Sequence, residues 1–384
     1  MSARLLILSP THDRGGAEEY LLTIAGSAVE NGWEVVVGFE LSARTRSIAD
    51  ELRSRPGTSY INAPIRALHR WGVIGQALAT VWLLARSRAD VAMVVLPGPT
   101  LGMGCVIATA LASLPTAVVF QLAPWAVPAG SWRGVCSWAQ RRRQQWIAVS
   151  DQNREAIQAT FAVPPGSVRT IYNGAPDVVQ LNSTQSTAAR LALRTRLGMA
   201  GDARVILTVG RLAEQKGYTD LLESLPSVLD GRPDVFFVWI GGGELRAELE
   251  SAIRSRDLEH HVRILGHRSD VHHMLDGADM FLLPSRFEGH SFALVEALAH
   301  GVPAVSSDAG GAPETIRDGI DGLIFRRQDP ADLARKLNWA IEHPDEMAAM
   351  GASGRARAAI FSQGRMLGET FAVLEALRDQ AGAG

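Results

Sequence analysis

Two glutamates, Glu288 and Glu296, stand eight positions apart in the segment RFEGHSFALVEALAHG. Paired carboxylates can act as a general acid and base, and they can also accept hydrogen bonds from hydroxyl groups. If the whole segment were helical, the two residues would lie about 12 Å apart along the helix axis. The spacing alone therefore does not decide whether the pair carries chemistry.

The residues around the two glutamates break such a helix. Pro284 and Gly289 disfavour a helix at the start of the segment, and Ser291 is a plausible N-cap residue. We predict that Glu288 lies in a loop after the buried strand MFLLPS, and that Glu296 lies in the second turn of the helix that follows.

The start of this predicted helix adds hydrogen-bond donors to the two carboxylates. The backbone N–H groups from His290 to Ala293 would stand at the positive end of the helix dipole. Acceptors for hydroxyl groups beside donors for phosphate are what a sugar-nucleotide site requires. The alternative is a capped helix with a solvated Glu296, which does not account for the other charged loops in the same half of the chain.

A second charged loop, VGRLAEQKGY, contains Arg211 and Lys216 just after a predicted strand. An arginine fork and a lysine point charge in one loop suit a diphosphate. The alternative is two solvated surface charges. Only two of the 38 basic residues are lysines, Lys216 and Lys336, which favours a specific role for Lys216.

Two glycine-rich loops also follow predicted strands. Gly15 and Gly16 stand just before a predicted helix, where they would let a ligand approach the backbone N–H groups, although a tight turn is an equal alternative. The loop is not G-x-G-x-x-G, which counts against a dinucleotide site. In GGGELRAELE, Gly242 either shapes a nucleotide pocket or belongs to an ordinary turn.

Five histidines occur in the segment HHVRILGHRSDVHH. Adjacent histidines diverge on a strand or a helix, and no H-x-x-x-H spacing or cysteine partner accompanies them. The pattern therefore favours surface histidines over a metal site. His267, at the end of a predicted strand, is the one that we expect to face a ligand cleft.

The length of 384 residues predicts two domains, and the net charge of −2 gives no general attraction to nucleic acid. Two cysteines suit a reducing compartment, and no signal peptide is recognisable. The apolar region 91–128 is divided by Pro97, Pro99 and Pro115, so we interpret it as strand, helix and strand rather than a membrane span.

Short β-branched runs alternate with helical patterns in both halves of the chain, which predicts βαβ units and parallel sheets. The polar stretch QLNSTQSTAA (180–189) is interpreted as a linker between the halves. We predict an α/β protein of two doubly wound Rossmann-like domains, 1–180 and 181–364, facing a central cleft. A C-terminal helix, about 365–384, is expected to pack back on the first domain.

The sequence resembles a known family over nearly its whole length. Glu288 to Glu296 matches the E-x7-E signature of retaining, nucleotide-sugar-dependent glycosyltransferases of the GT-B fold, in particular family 4 (glycosyl transferases group 1). The resemblance covers nearly the whole chain, through GGAEEYLLTIAGSAVENGWEV, AVSDQNREAI, VRTIYNGAPD, GRLAEQKG and EGHSFALVEALAHGVPAVSSDAGGAPETIRDGIDGLIF. The last segment is the most specific of these.

The resemblance implies a role for each loop in binding the donor diphosphate. Arg211 and Lys216 would hold the diphosphate, and the N–H groups of Phe292 and Ala293 would bind its phosphates. The Gly15–Gly16 pair would close over it from the first domain.

The resemblance also implies how the donor reacts. Glu296 would accept hydrogen bonds from the ribose, and Glu288 would contact hydroxyl groups of the donor sugar. The family transfers the sugar with retention, and the favoured mechanism is front-face attack in which a diphosphate oxygen takes the acceptor proton. Lys216 and Arg211 would then stabilise the leaving group. No cofactor is expected beyond the donor substrate, and no D-x-D metal motif is found in the sequence.

One position departs from the family pattern. Many relatives have a histidine at the end of the strand that reads TAVVFQLAPW here, where this chain has Gln121. An amide can bind a sugar hydroxyl but cannot transfer a proton. His12 either compensates for the missing imidazole or is a histidine of a surface loop. The departure concerns the chemistry expected on the acceptor side, not the binding of the donor.

These observations predict a glycosyltransferase whose partners are a nucleotide-sugar donor and a sugar, glycan or lipid-linked acceptor, in polysaccharide, glycolipid or other glycoconjugate biosynthesis. The alternatives are a nucleotide-sugar epimerase or hydrolase, and a non-catalytic binding module. We expect a cytoplasmic protein. The segment 131–146, SWRGVCSWAQRRRQQW, suggests weak contact with the inner membrane face, with an ordinary solvated helix as the alternative.

Overall fold

The computed structural model describes residues 2–11, 13–65, 72–126 and 132–382. The chain forms two compact units. The first unit comprises Met1–Asn173 and Gly364–Gly384, and the second unit comprises Gly174–Gln363. In the described part of the chain, no helix is long and apolar enough to cross a membrane.

The first unit alternates strands and helices along the chain. Its elements in order are β1 (Arg4–Leu8), α1 (Gly16–Glu30), β2 (Glu34–Phe39), α2 (Arg46–Ser54), β3 (Thr58–Asn62), α3 (Gly72–Ser87), β4 (Val91–Leu96), α4 (Met103–Leu111), β5 (Thr116–Phe120), α5 (Trp132–Gln140), β6 (Gln144–Ala148), α6 (Asp151–Phe161) and β7 (Val168–Thr170).

The described strands of the first unit form one parallel sheet in the order β3-β2-β1-β4-β5-β6-β7. The central strands β4 and β5 are buried along their whole length because helices cover both faces of the sheet. This explains why their sequences are continuous apolar runs. The helix α4 packs against α3 on one side and α5 on the other.

The second unit repeats this plan. Its elements in order are α7 (Ser183–Leu197), β8 (Arg204–Val209), a 3-10 helix (Glu214–Lys216), α8 (Tyr218–Leu229), β9 (Val235–Ile240), α9 (Arg246–Arg254), β10 (Val262–Gly266), α10 (Val271–Gly277), β11 (Met280–Leu283), α11 (Phe292–Ala299), β12 (Ala304–Ser307), α12 (Ala312–Thr315), β13 (Leu323–Phe325), α13 (Pro330–Glu342), α14 (Pro344–Ala358) and a second 3-10 helix (Ala359–Phe361).

The six strands described in the second unit form a parallel sheet in the order β10-β9-β8-β11-β12-β13. The order reverses direction at β8 and β11, so this sheet is doubly wound. Ligands of doubly wound sheets bind beyond the carboxyl ends of the strands at such a switch point. A ligand is therefore expected at the loops that follow β8 and β11.

The predicted linker at 180–189 is wrong. Residues 183–197 form α7, because Asn182 and Gln185 make a reciprocal capping box: the Asn182 side chain accepts from the Gln185 N–H, and the Gln185 side chain accepts from the Asn182 N–H. The polar composition of this segment reflects a helix with a largely exposed surface rather than a flexible connection.

The last helix, α15 (Gln363–Gly382), lies almost wholly in the first unit. The buried hydroxyl groups of Thr370 and Tyr20 lie 3.3 Å apart and share a hydrogen bond. The guanidinium carbon of Arg378 lies 5.5 Å from the centroid of the Trp33 ring, which is a cation–π contact. These contacts join α15 to α1 and to the turn before β2.

Candidate active site

The loop after β8 turns back sharply to begin α8. Gly217 has a φ of 67°, and a Cβ atom at this position would overlap the carbonyl oxygen of Pro284. Only glycine meets both requirements. The buried Tyr218 donates a hydrogen bond of 3.2 Å to the carbonyl of Gly210. These contacts hold the loop that carries Arg211 and Lys216 against the residues that follow β11.

The two loops meet in an ion pair. The Lys216 ammonium group donates to Oε1 of Glu288, and both side chains are largely buried, with 17% and 8% of their areas exposed. Ser285 Oγ donates to the same carboxylate oxygen at 2.7 Å. Ser307, at the end of β12, in turn donates to the Ser285 carbonyl at 2.6 Å. Hydrogen bonds therefore fix the position of the Glu288 carboxylate.

Arg211 stands on the same loop as Lys216 and is partly buried. Its Nη2 donates to Oε1 of Gln215 at 3.3 Å. The Gln215 side chain donates to the backbone carbonyl of Phe287 at 3.1 Å, and the Gln215 backbone carbonyl accepts from the Arg286 N–H at 2.8 Å. Gln215 therefore connects the arginine to the loop that carries Glu288.

Arg286 and Asp220 are site-forming residues that the sequence did not reveal. The Arg286 guanidinium donates to both carboxylate oxygens of Asp220 and also to the hydroxyl of Thr219. The two residues are far apart in the chain, and neither stands in a recognisable local pattern. Only the fold brings them together, so no signal in a single sequence identifies the pair.

The helix α11 begins at Phe292, and Ser291 is its N-cap residue, as the sequence predicts. The Ser291 side chain accepts from the Leu294 N–H at 3.4 Å. The N–H groups of Phe292 and Ala293 belong to the first turn, where no carbonyl of the same helix can accept from them. Glu288 precedes the helix and Glu296 lies half-buried in its second turn.

Glycines allow the neighbouring backbones to pack closely. Gly310 has a φ of 57°, and a Cβ atom there would overlap the carbonyl of Glu288. Cβ atoms at Gly241 and Gly243 would overlap backbone atoms of the loop after β8. In contrast, a Cβ atom at Gly242 would meet nothing within 4 Å. The backbone at Gly242 is therefore open to a neighbouring molecule, and packing does not require glycine there.

The negative charge of Glu288 affects the pKa of the buried Tyr218. Burial, and to a smaller extent the negative charge of Glu288, raise the pKa of Tyr218 well above its usual value. The phenol therefore keeps its proton and remains a hydrogen-bond donor to the Gly210 carbonyl. This hydrogen bond therefore supports the loop after β8 at neutral pH.

The histidine-rich segment does not form a cluster at this site. His267 follows β10 directly and is exposed. His272 belongs to α10, and its Nδ1 lies 3.0 Å from Nε2 of His300, the residue that ends α11. Within the described ranges, no group of three or more histidine, cysteine, aspartate or glutamate residues is arranged to hold a metal ion.

The predicted residues of the first unit follow two of its strands. Gly15 is the N-cap of α1 in an extended conformation with a φ of −162°, which any residue can adopt, and Gly16 is the first residue of the helix. Gln121 follows β5 and accepts a 3.1 Å hydrogen bond from the Asn173 side chain. Gln121 Nε2 is buried and has no hydrogen-bond partner among the described residues. His12 lies outside the described residues.

The second unit thus brings Arg211, Lys216, Glu288 and the start of α11 to the carboxyl edge of one parallel sheet, at its switch point. Cationic side chains and helix N–H groups bind phosphate, and a fixed carboxylate accepts hydrogen bonds from hydroxyl groups. Two parallel α/β units of this kind define the GT-B fold.

Comparison with known proteins gives the family. Residues 14–178 match the family described as Glycosyltransferase Family 4, and residues 190–357 match Glycosyl transferases group 1. The chain belongs to these glycosyltransferases, as the resemblance in its sequence predicts.

Individual relatives agree with this assignment. An uncharacterized glycosyltransferase of Methanocaldococcus jannaschii is 30% identical over 200 residues, 52% of this chain and 50% of the relative. A GDP-mannose-dependent monoacylated alpha-(1-6)-phosphatidylinositol monomannoside mannosyltransferase of Corynebacterium glutamicum is 33% identical over 174 residues, 43% of this chain and 45% of the relative. The matched stretch is thus about half the length of these curated relatives.

Solved structures share the fold over the whole chain. A glycosyltransferase from Rickettsia africae superposes with a TM-score of 0.79 at 16% identity, covering 98% of both chains. The Anabaena protein HepE, solved in complex with UDP and glucose, superposes with a TM-score of 0.79 at 21% identity, covering 97% of this chain and 99% of that one.

Proposed function

We propose that this protein is a glycosyltransferase that moves a sugar from a nucleoside diphosphate sugar to an acceptor hydroxyl group, in the synthesis of a polysaccharide, glycolipid or other glycoconjugate. The observation that carries the proposal is the Lys216–Glu288 ion pair, held next to the start of α11. It supplies a cation for a diphosphate and a carboxylate for a sugar, and the loop that carries Glu288 leads into the N–H groups at the start of α11.

In the proposed reaction, Arg211 and Lys216 bind the diphosphate and stabilise the charge that develops on it as the glycosidic bond breaks. Glu288 orients the donor sugar through its hydroxyl groups, and Glu296 accepts hydrogen bonds from the ribose. Phe292 and Ala293 donate backbone N–H groups to the phosphates.

We further propose that transfer is retaining and needs no metal. The acceptor hydroxyl oxygen attacks the sugar on the face from which the diphosphate leaves. A diphosphate oxygen takes the proton of that hydroxyl as the bond between the sugar and the diphosphate breaks. Because two basic side chains and helix N–H groups would neutralise the leaving group, a divalent cation is not required for this purpose. Activity that persists in a chelator, with a product of unchanged anomeric configuration by NMR, is the expected result.

Lys216 offers a sharp test because the chain contains only one other lysine, Lys336. Lys336 forms an ion pair with Asp318 at 3.1 Å in the same unit. We expect K216A to weaken donor binding and turnover at least about tenfold, since a charge-assisted contact is lost, and K336A to leave both unchanged. Normal turnover by K216A with the correct donor and acceptor would overturn the assignment of the diphosphate site.

The donor is to be found by calorimetry with a panel of UDP-, GDP-, ADP- and TDP-sugars. The GDP-mannose dependence of the Corynebacterium relative and the UDP bound to the Anabaena protein make GDP- and UDP-sugars the first to measure. We propose a sugar, glycan or lipid-linked acceptor, because the Corynebacterium relative is described as acting on a phosphatidylinositol monomannoside.

Two other functions give different results in the same assay. A nucleotide-sugar epimerase or hydrolase consumes the donor without any acceptor, whereas a non-catalytic module binds the donor and leaves it intact. The roles predicted for Gly15, Gly16, Gly242, His267, His12 and Gln121 remain predictions from the sequence, and alanine variants, or leucine for Gln121, assayed with the identified donor will test them.

We propose a reducing, cytoplasmic location, because Cys105 and Cys136 are free, buried thiols. Burial raises the pKa of Cys136 to about 11, so this thiol remains protonated and unreactive. The weak membrane contact predicted for 131–146 also remains a proposal, with one restriction. Trp146 is fully buried in the core and does not contribute to such a contact; the exposed basic residues of the segment are Arg133 and the arginine run 141–143.

A further inference from the structure

The helix α3 exposes an apolar face. Ile74, Leu78, Val81 and Trp82 have 51%, 67%, 50% and 44% of their areas exposed. Their spacing of four, three and one residues places them on one side of a helix. Isolated apolar residues are common on protein surfaces, but four large ones on a single helix face mark an interaction site.

The opposite face of α3 is fixed, so the apolar stripe cannot turn inward. The Gln76 side chain accepts from the Gly104 N–H at 2.8 Å, and Thr80 donates to the Cys105 sulfur at 3.3 Å. Both polar residues are buried against α4, and a Cβ atom at Gly104 would overlap the backbone of α3. The helix is therefore locked at a close approach to α4, with its stripe facing outward.

Arginines surround this stripe in the sequence. Between Glu51 and Asp151 the chain contains ten arginines, and Asp90 is its single acidic residue. The Asp90 carboxylate accepts a 2.8 Å hydrogen bond from the Arg4 N–H. The apolar stripe therefore lies in a stretch of chain that is strongly and almost uniformly positive.

The fold gathers five of these arginines at one edge. Arg86 lies in the last turn of α3 and Arg88 lies between α3 and β4, whereas the run 141–143 lies between α5 and β6. Since β4 and β6 are parallel strands of one sheet, both groups stand at its amino edge, and all five are exposed. The Arg86 guanidinium lies over the Trp82 ring, at 5.1 Å from its centroid. We call the stripe together with these five arginines the α3 face.

We propose that the α3 face docks on an anionic lipid bilayer. Apolar side chains along a helix can enter the boundary between head groups and acyl chains, while arginines at its end contact lipid phosphates. A tryptophan stacked under an arginine suits this interface, because both side chains have an apolar body and a polar end. The proposal is independent of the proposed sugar transfer.

The charges argue against a second copy of the chain as the occupant. A symmetric dimer through this surface would bring the same patch of both copies together. The five arginines of each copy would then face those of the other, and Asp90 is the single acidic residue that the sequence between Glu51 and Asp151 offers against them. An anionic bilayer offers the opposite charge over the whole surface.

The test is sedimentation of the full chain with vesicles of phosphatidylcholine, with and without about one third phosphatidylglycerol. The stripe variant I74S/L78S/V81S/W82S is compared with V179S/L191S/I320S/I360S, which removes four exposed apolar residues of the second unit. We expect the stripe variant to lose at least about tenfold in partitioning and the control to partition as the wild type does.

A second variant tests the charge. R86Q/R88Q/R141Q/R142Q/R143Q is expected to bind anionic vesicles at least about tenfold more weakly and to abolish the salt dependence of binding. All variants change exposed residues, and circular dichroism melts verify their folding. Absence of wild-type binding to anionic vesicles, or equal binding by the stripe variant and its control, overturns the proposal.

Analytical ultracentrifugation separates the remaining outcome. If the wild type is oligomeric without vesicles and the stripe variant is monomeric, a second copy occupies the α3 face and the lipid proposal is wrong. Donor binding, measured by calorimetry in solution, reports on the proposed transferase function alone, so failure of one proposal is distinguishable from failure of the other.

Discussion

Arg286 donates two hydrogen bonds to the carboxylate of Asp220, from Nε to Oδ2 at 2.8 Å and from Nη2 to Oδ1 at 2.6 Å. The pair is mostly buried, with 21% and 11% of the side-chain areas exposed. Arg286 stands two residues before Glu288, and Asp220 stands four residues after Lys216. The bidentate contact therefore fixes the separation of the two loops that form the Lys216–Glu288 ion pair.

Removal of this contact is expected to cost both stability and activity. We predict that R286M lowers the free energy of unfolding by about 3 kcal/mol, since Asp220 would be left as a buried, uncompensated charge. R286K should restore part of the stability but raise the KM for the donor, because lysine lacks the planar fork. Urea denaturation and initial-rate kinetics are the measurements.

The exposed pair of Arg53 and Asp50 provides the control for this experiment. Its side chains are 51% and 60% exposed, so R53M should change the free energy of unfolding by less than about 1 kcal/mol. If R286M were as stable and as active as R53M, Arg286 would have no part in positioning the two loops.

Substitutions of Ser291, the N-cap residue of α11, distinguish an effect on stability from an effect on ligand binding. Ser291 accepts from the Leu294 N–H, so S291A should lower the free energy of unfolding by about 1 kcal/mol. S291D should retain the cap and the stability but place a negative charge at the start of the helix. We therefore expect S291D to bind the nucleoside diphosphate more weakly than S291A does, as measured by calorimetry; the reverse order would exclude phosphate from this helix end.

Gly217 and Gly198 form a matched pair of glycines with positive φ angles of 67° and 62°. A Cβ atom at Gly217 would overlap the Pro284 carbonyl, whereas one at Gly198 would meet nothing within 4 Å. We predict that G198A costs about 1 kcal/mol from backbone strain alone. G217A should cost at least about twice as much in thermal or urea unfolding, and similar losses for both variants would contradict the described packing.

His300 should make the protein less stable in mild acid. Burial lowers the pKa of His300 below its usual value, although Asp276, which accepts at 2.6 Å from Nδ1, opposes this shift. As the pH falls below about 6.5, the unfolded chain therefore gains a proton that the folded chain resists, and stability is lost. The measurement is urea unfolding at pH values between about 5 and 8. We expect the free energy of unfolding to fall less on acidification for H300Q than for H273Q, the control at an exposed histidine.

Gln121 allows a pH test of the acceptor side. An amide does not titrate, so residue 121 should contribute no ionisation to the pH dependence of kcat. We expect Q121H to add an acidic limb near pH 6.5, the usual pKa region of histidine. Superimposable profiles for the wild type and Q121H would mean that residue 121 does not contact the reacting groups.

The local sequence was sufficient where the determining contacts are also local. Ser291 caps α11 through a residue three positions away, and Glu288 and Glu296 consequently occupy a loop and a helix as predicted. The buried parallel strands were also recognisable, because continuous β-branched runs reflect a sheet covered on both faces.

The remaining features depend on distant or weak signals. The edge strand β3, TSYIN, is only partly buried and carries no apolar run, so its sequence does not indicate a strand. The alanines, glycines and methionines of α14 give little amphipathic contrast, so its sequence does not indicate an amphipathic helix. Arg286 and Asp220 meet only after two strands have paired with their neighbours, and α7 was hidden by the polar composition of its exposed surface.

The path of the chain constrains the order in which the protein can fold during synthesis. The second unit is one continuous segment, Gly174–Gln363, and all of it is synthesised before Gly364, where the chain returns to the first unit. The first unit emerges earlier but lacks α15, whose Thr370 and Leu374 are fully buried. The first unit, although its synthesis begins first, is therefore completed only after the second unit has been synthesised. Until then, the surface of α1 that contacts α15 is available to chaperones.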